Sequence, residues 1–353
     1  MNAAADSLPV NPAPARRAPA HKTHRFALLL RREFWEHKGG FFWAPMVAGG
    51  IFLLLALMGI VVGEVARMRA ADHEVSIDGT SVTIGSLDFN MLASKIRPED
   101  MKHLGDAVDV SLFMAVSWPL IVLAFVVFFY CLGALYDERK DRSVLFWKSL
   151  PVSDSETVLS KVVSAGVVAP LLALAAGIVT MFGFLLLASI FVLAHGGNPM
   201  KLLWGPGSPL TIAAQLAAWI PVYAIWALPT IGWLLLCSAW SRSKPFLWAI
   251  MIPLFSGIFV SWFDIMQLFN LDSTWYWKNI FGRALFSTVP VSDLFYRADG
   301  FEVADDGMRA FRQLLSVRVT YGALLQPQAW IGAVAGAAMI FGAIRLRRWR
   351  DEG

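Results

Sequence analysis

Residues 162–193 read VVSAGVVAPLLALAAGIVTMFGFLLLASIFVL, with no Asp, Glu, Lys, Arg or His. A helix crossing a bilayer needs roughly 20 mainly apolar residues. This run exceeds that length, so it must tilt, kink or continue into the interface. Pro170 lies inside it and removes a helical hydrogen bond, which favours a kink. Five further runs without an acidic or basic residue flank it: 41–62, 112–136, 210–240, 246–262 and 328–344. Pro119, Pro221, Pro229 and Pro253 fall inside three of these and carry the same expectation.

The whole composition agrees with the runs. Of 353 residues, 57% are hydrophobic and only 16% charged, against about 25% charged in soluble domains. The fold class expected is an all-α membrane protein of six transmembrane helices. Residues 1–24, rich in Ala and Pro, read as a disordered lead-in, and 25–353 as a single transmembrane domain. A cleaved signal peptide is not expected, because the first apolar run begins only at Phe41 and is too long for a signal core. Arg31-Arg32 matches a twin-arginine signal by letters alone. Cys131 and Cys237 both lie in apolar runs, so no disulfide framework is implied.

Charge placement sets orientation. With the N-terminus inside, 18 of the 30 basic residues fall in short inside segments, and the acidic residues favour the outside loops 63–111 and 263–327. Both termini are therefore expected to be cytoplasmic. The net charge of +4 is explained by topology, and no nucleic-acid partner is expected. Phe26, Leu30 and Phe34 recur every fourth residue between Arg25 and Lys38, the pattern of an amphipathic helix lying on the inner leaflet.

All six runs lack ionisable groups of the kind that couple carriers to ion gradients. No Gly-x-x-x-x-Gly-Lys-Ser/Thr loop, His-Glu-x-x-His run or Gly-x-Ser-x-Gly elbow occurs. No catalytic residue and no metal set is expected, and energy for any work should come from another polypeptide.

The most informative connection is Tyr136 to Ser153, YDERKDRSVLFWKSLPVS. Charges crowd its start, Val144 to Trp147 form an apolar patch, and Pro151 stops any helix at Leu150. Ser153 with Glu156 then forms a capping box for a new helix. Two readings stand: a short element docking into a partner's groove, or a turn anchored by Trp147 at the headgroups.

The Glu138-Arg139 pair, Ser143, the Ser149-Leu150-Pro151-Val152-Ser153 stretch and Lys161 resemble the permease subunits of type-2 ABC exporters. Two features depart from the family pattern: Arg142-Ser143 stands where Gly-Thr is usual, and the first outer loop is long. The resemblance implies that this connection is a coupling helix seated in a separate cytoplasmic ABC ATPase. Glu138, Arg139, Ser143, Leu145, Trp147, Ser149 and Pro151 would be its coupling residues. It further implies ATP and Mg bound in that partner, pairing with a second copy or a related permease, and residence in a bacterial-type inner membrane.

Aromatic residues from Phe269 to Tyr296 suggest that part of the 263–327 loop dips into the outer leaflet, and the resemblance implies short re-entrant helices there. Val82-Thr83-Ile84 suggests a modest cap in the 63–111 loop. Small residues spaced by four, Ala165, Ala169, Ala173 and Gly177, and separately Gly332 and Gly336, mark close helix packing, within the chain or in a dimer. Ser117, Gln215, Tyr223, Ser238 and Ser256 are the few polar residues in the runs. They either line a path or make structural hydrogen bonds, and a path bordered by Phe, Met and Trp would suit lipid-like cargo. Two other functional classes stay open: a membrane enzyme on a lipid-linked substrate, with Asp305-Asp306 as its acidic pair, and a non-transporting assembly protein on the permease plan.

Overall fold

The computed structural model describes residues 22–71, 75–77, 80–82, 97–141, 152–267, 272–290, 292 and 316–350. Six helices in it are long and apolar enough to cross a membrane. Helix α1 (Lys22–Glu36) leads through a wide π turn (Gly39–Trp43) into α2 (Ala44–Ala71). A small antiparallel hairpin follows, β1 (Val75–Ile77) with β2 (Thr80–Val82), pairing Ser76 with Ser81. Next come α3 (Pro98–Gly133), the short α4 (Tyr136–Lys140) and α5 (Asp154–Val163). A π turn over Ser164–Val168 precedes α6 (Ala169–Ala194), and placing Pro170 just after that widened turn accommodates its missing N–H. The helix α6 closes at Gly196, whose φ of 72° suits only glycine well, and Gly197 N–H returns to Val192 O at 2.9 Å.

The run 210–240 is not one helix. It divides at Ala227 into α7 (Pro209–Trp226) and α8 (Leu228–Trp240), with Pro229 in the first turn of α8. A proline there disrupts the preceding turn and starts a new helix comfortably. The other interior prolines, Pro119, Pro221 and Pro253, are carried within α3, α7 and α9 (Pro245–Ile265). Beyond α9, α10 (Ser273–Tyr276), a π turn (Trp277–Gly282) and α11 (Arg283–Phe286) fold back into the bundle. Helix α12 (Val317–Gly322) and a 3₁₀ turn lead into α13 (Pro327–Arg350).

Leu112, Val116, Leu123, Ala165, Ala169, Ala173, Met181, Ile231, Leu234 and Leu235 form the buried core. By contrast α2 exposes Leu54, Met58, Val61 and Val62, and α9 exposes Phe255, Ile258, Phe259 and Trp262. Apolar faces of this extent do not stand in water. The chain is a multi-pass, helical membrane protein.

Helix α1 meets the bundle through a line beside the Phe26, Leu30 and Phe34 line. Leu29 and Glu33 are its buried positions, while Phe26, Leu30 and Phe34 are half-buried beside them. That bundle-facing line carries a carboxylate, which apolar periodicity does not count.

Candidate functional site

The buried carboxylate on α1 opens a cluster of charges at one end of the bundle. Glu33 and Lys161 are each 1% exposed. Lys161 Nζ donates to Glu33 Oε1 at 2.9 Å and sits 3.0 Å from Glu138 Oε1. Tyr130 Oη donates to Glu33 Oε2 at 2.7 Å. Arg347, near the end of α13, gives Nη1 to Glu138 Oε2 at 2.6 Å and Nε to Asp154 Oδ1 at 3.1 Å. Arg32 adds a longer contact to Glu138, 3.7 Å, and pairs with Glu36 at 3.2 Å.

Local structure places each of these groups. The capping box at Ser153 is present: Ser153 Oγ accepts Glu156 N–H at 3.2 Å and Ser153 N–H reaches Glu156 Oε2 at 3.0 Å. That fixes the first turn of α5, so Asp154 faces α13 and Lys161, two turns on, faces α1. Helix α4 is turned off the end of α3 where Ser238 Oγ accepts the N–H groups of both Leu135 (3.1 Å) and Tyr136 (2.9 Å). Glu138 is thereby directed inward. Arg139, its neighbour, goes the other way: its guanidinium donates to Ser241 O at 3.0 Å and also to Ser238 O. These are carbonyls at the C-terminal end of α8, where a cation is favourable.

Burying a charge is costly unless it is paired and hydrogen-bonded. Here the carboxylates Glu33 and Glu138 alternate with the cations Lys161 and Arg347, so the buried core of the cluster is neutral. It binds α1, α4, α5 and α13 into one unit, and Arg139 adds α8. The cluster also shows that the first and last described helices end at the same end of the bundle, beside Glu138, Asp154 and Lys161.

Of the residues singled out in that connection, Glu138 and Arg139 belong to this unit. Ser143, Leu145, Trp147, Ser149 and Pro151 lie outside the described residues, as do Asp305 and Asp306. Sequence reading missed Glu33, Asp154, Arg347 and Tyr130. The available signal was the i, i+4, i+8 line Leu29, Glu33, His37, which sets an acid beside the apolar line Phe26, Leu30, Phe34.

The small-residue stripes meet neighbours within the chain. Ala165, Ala169, Ala173 and Gly177 are buried, and a Cβ on Gly177 would come 2.9 Å from Val116 Cγ1. A Cβ on Gly336 would come 2.5 Å from the Leu228 carbonyl, and one on Gly332 would run into Arg283 and Pro229. So α13 lies directly against the start of α8.

The polar residues of the runs are not brought together. Ser117 Oγ donates to Met114 O at 2.7 Å within α3. Gln215 is half-buried on α7. Tyr223 Oη, in the core, donates to Thr288 O at 3.2 Å. Ser256 borders a cavity between α9, the α10–α11 segment, α8 and α13, where its hydroxyl meets Tyr276 Oη. At the same end of the bundle as that segment, Glu64 pairs with Arg67 and lies 3.1 Å from His195 Nε2. Among the described residues no group of His, Cys, Asp and Glu is placed to hold a metal ion.

No family model, curated protein or solved structure matches the chain.

Proposed function

We propose that the chain is the membrane-spanning permease subunit of an ATP-driven exporter, receiving force from a separate ABC ATPase at the connection 142–151. The observation that carries this reading is the ion network on both flanks of that connection. Glu138 precedes it and Lys161 follows it, and together with Arg347 and Glu33 they tie its two flanks to the first and last described helices. A push delivered to these flanks is transmitted to α1, α3, α5, α8 and α13 together. The motif resemblance around Glu138-Arg139 and Leu150-Pro151 and the six apolar helices support the same reading. On it the network end is cytoplasmic, matching the concentration of basic residues there, and a second permease, identical or related, completes the pathway.

The test is association with an ATPase. Tagged full-length chain expressed in its native host should retain an ATP-hydrolysing cassette subunit through purification. Leu145→Ala combined with Trp147→Ala should release that subunit while leaving the permease folded. Absence of such a subunit from the wild-type preparation, or undiminished association and hydrolysis with the double variant, overturns the proposal.

A further inference from the structure

The cavity beside Ser256 has a volume of about 950 Å³, at the upper end of the roughly 300–1,000 Å³ typical of ligand pockets. Its walls are graded. The polar lining is Asp272, Lys278 and Asn279 with Arg283, which is set against Gln328 at the start of α13; the apolar lining further along α13 and on α8 and α9 is Ala335, Met339, Trp233 and Ile252. From Gln328 to Met339 a helix advances about 16 Å, so the α13 wall of the cavity runs from a polar end to an apolar one.

Arg283 is the pivot of the polar end and is only 5% exposed. Its guanidinium lies 3.7 Å from the centre of the Trp226 ring, and Nη2 donates to Gln328 O at 3.4 Å. Its own backbone carbonyl accepts from Thr230 Oγ1 at 2.8 Å, which anchors the α11 turn against α8. Glycine at 332 leaves room for the guanidinium, since a Cβ there would collide with it. The side chain is thus positioned by an aromatic face, a carbonyl and a missing side chain. Among the described residues, the charged groups lining the cavity are two cations and one acid, Asp272, whose Oδ1 caps the α10 turn by accepting Trp275 N–H at 3.1 Å. The net charge of the polar wall favours an anion, and a planar guanidinium suits a phosphate oxygen pair.

We infer that this cavity is a binding site for an anionic phospholipid, its phosphate at the Arg283–Lys278 wall and an acyl chain along Ile331, Ala335 and Met339. The site stands independently of the transport reading and needs no ATPase.

Full-length chain reconstituted in nanodiscs tests it by thermal unfolding. Phosphatidylglycerol should raise the unfolding temperature above that in phosphatidylcholine of the same acyl chains. Arg283→Gln and Lys278→Gln should each shrink that difference. Ala335→Trp, which fills the apolar end without touching a charge, should shrink it too while leaving the value in phosphatidylcholine near wild type. Equal stability in the two lipids, a difference unchanged in all three variants, or full replacement of the effect by inorganic phosphate in phosphatidylcholine discs overturns the inference.

Discussion

Arg347 Nη1 lies 2.6 Å from Glu138 Oε2 across 209 residues of sequence, with both side chains buried. One member holds the last helix and the other the end of the second long one, so their separation is a direct measure of whether the bundle end is assembled. Breaking a buried pair from one side leaves an uncompensated charge and costs about 3–5 kcal/mol, whereas replacing both partners with apolar groups of similar size costs far less. Glu138→Ala and Arg347→Ala should each lower the unfolding temperature in detergent sharply. Glu138→Leu with Arg347→Met should cost much less than the sum of Glu138→Leu and Arg347→Met measured singly, a departure from additivity of about 3 kcal/mol or more at a buried pair.

The same logic separates Glu33 from its partners. Glu33→Gln keeps an acceptor for Tyr130 but removes the charge facing Lys161. It should destabilise by more than Tyr130→Phe, which loses one hydrogen bond to a charged group, about 1.5–3 kcal/mol. A loss no larger than that of Tyr130→Phe would mean that the charge facing Lys161 contributes no more than a single hydrogen bond.

The Ser238 hydroxyl oxygen accepts two backbone N–H groups at the α3–α4 junction. Ser238→Ala should leave both orphaned and cost about 1–3 kcal/mol. If Glu138 depends on that junction for its direction, the variant should also weaken the coupling measured between Glu138 and Arg347.

Close approach of α13 and α8 depends on Gly336, where added atoms would meet the Leu228 backbone, which cannot move aside as a side-chain tip can. Gly336→Ala should therefore cost well over 1 kcal/mol despite alanine's better helix propensity. At Gly50, where a Cβ meets nothing within 4 Å, the same change should stabilise by about 0.4–1 kcal/mol. Thermal melts of the two variants side by side distinguish packing from propensity.

Spans are legible in the sequence because lipid requires long uncharged runs, and all six long helices fall where those runs are. Their joints are less so. The division of 210–240 at Ala227 depends on Pro229 acting as a first-turn residue, whereas Pro221 is carried within its helix, and nothing local tells the two apart. The charge network was illegible for a different reason. Glu33, Lys161 and Arg347 sit just outside the apolar runs, where charge ordinarily means a solvated flank, and only tertiary contact reveals them as buried. Glu138 and Arg139 were singled out through a motif, and their opposite directions could not be read from two adjacent letters.

Pro253 poses a local problem that the fold answers from another helix. Having no N–H, it leaves the carbonyl of Ala249, one turn earlier, without its helical donor. Trp233 Nε1, on α8, donates to that oxygen at 3.0 Å. The indole therefore completes the hydrogen bonding of α9 and fixes its distance from α8. Trp233→Phe should orphan the buried carbonyl and cost about 1–3 kcal/mol beyond lost packing. Pro253→Ala restores a backbone donor within α9, so in that background the cost of Trp233→Phe should fall. If the two changes are simply additive in the unfolding free energy, the indole is packing against α9 and not satisfying its broken hydrogen bond.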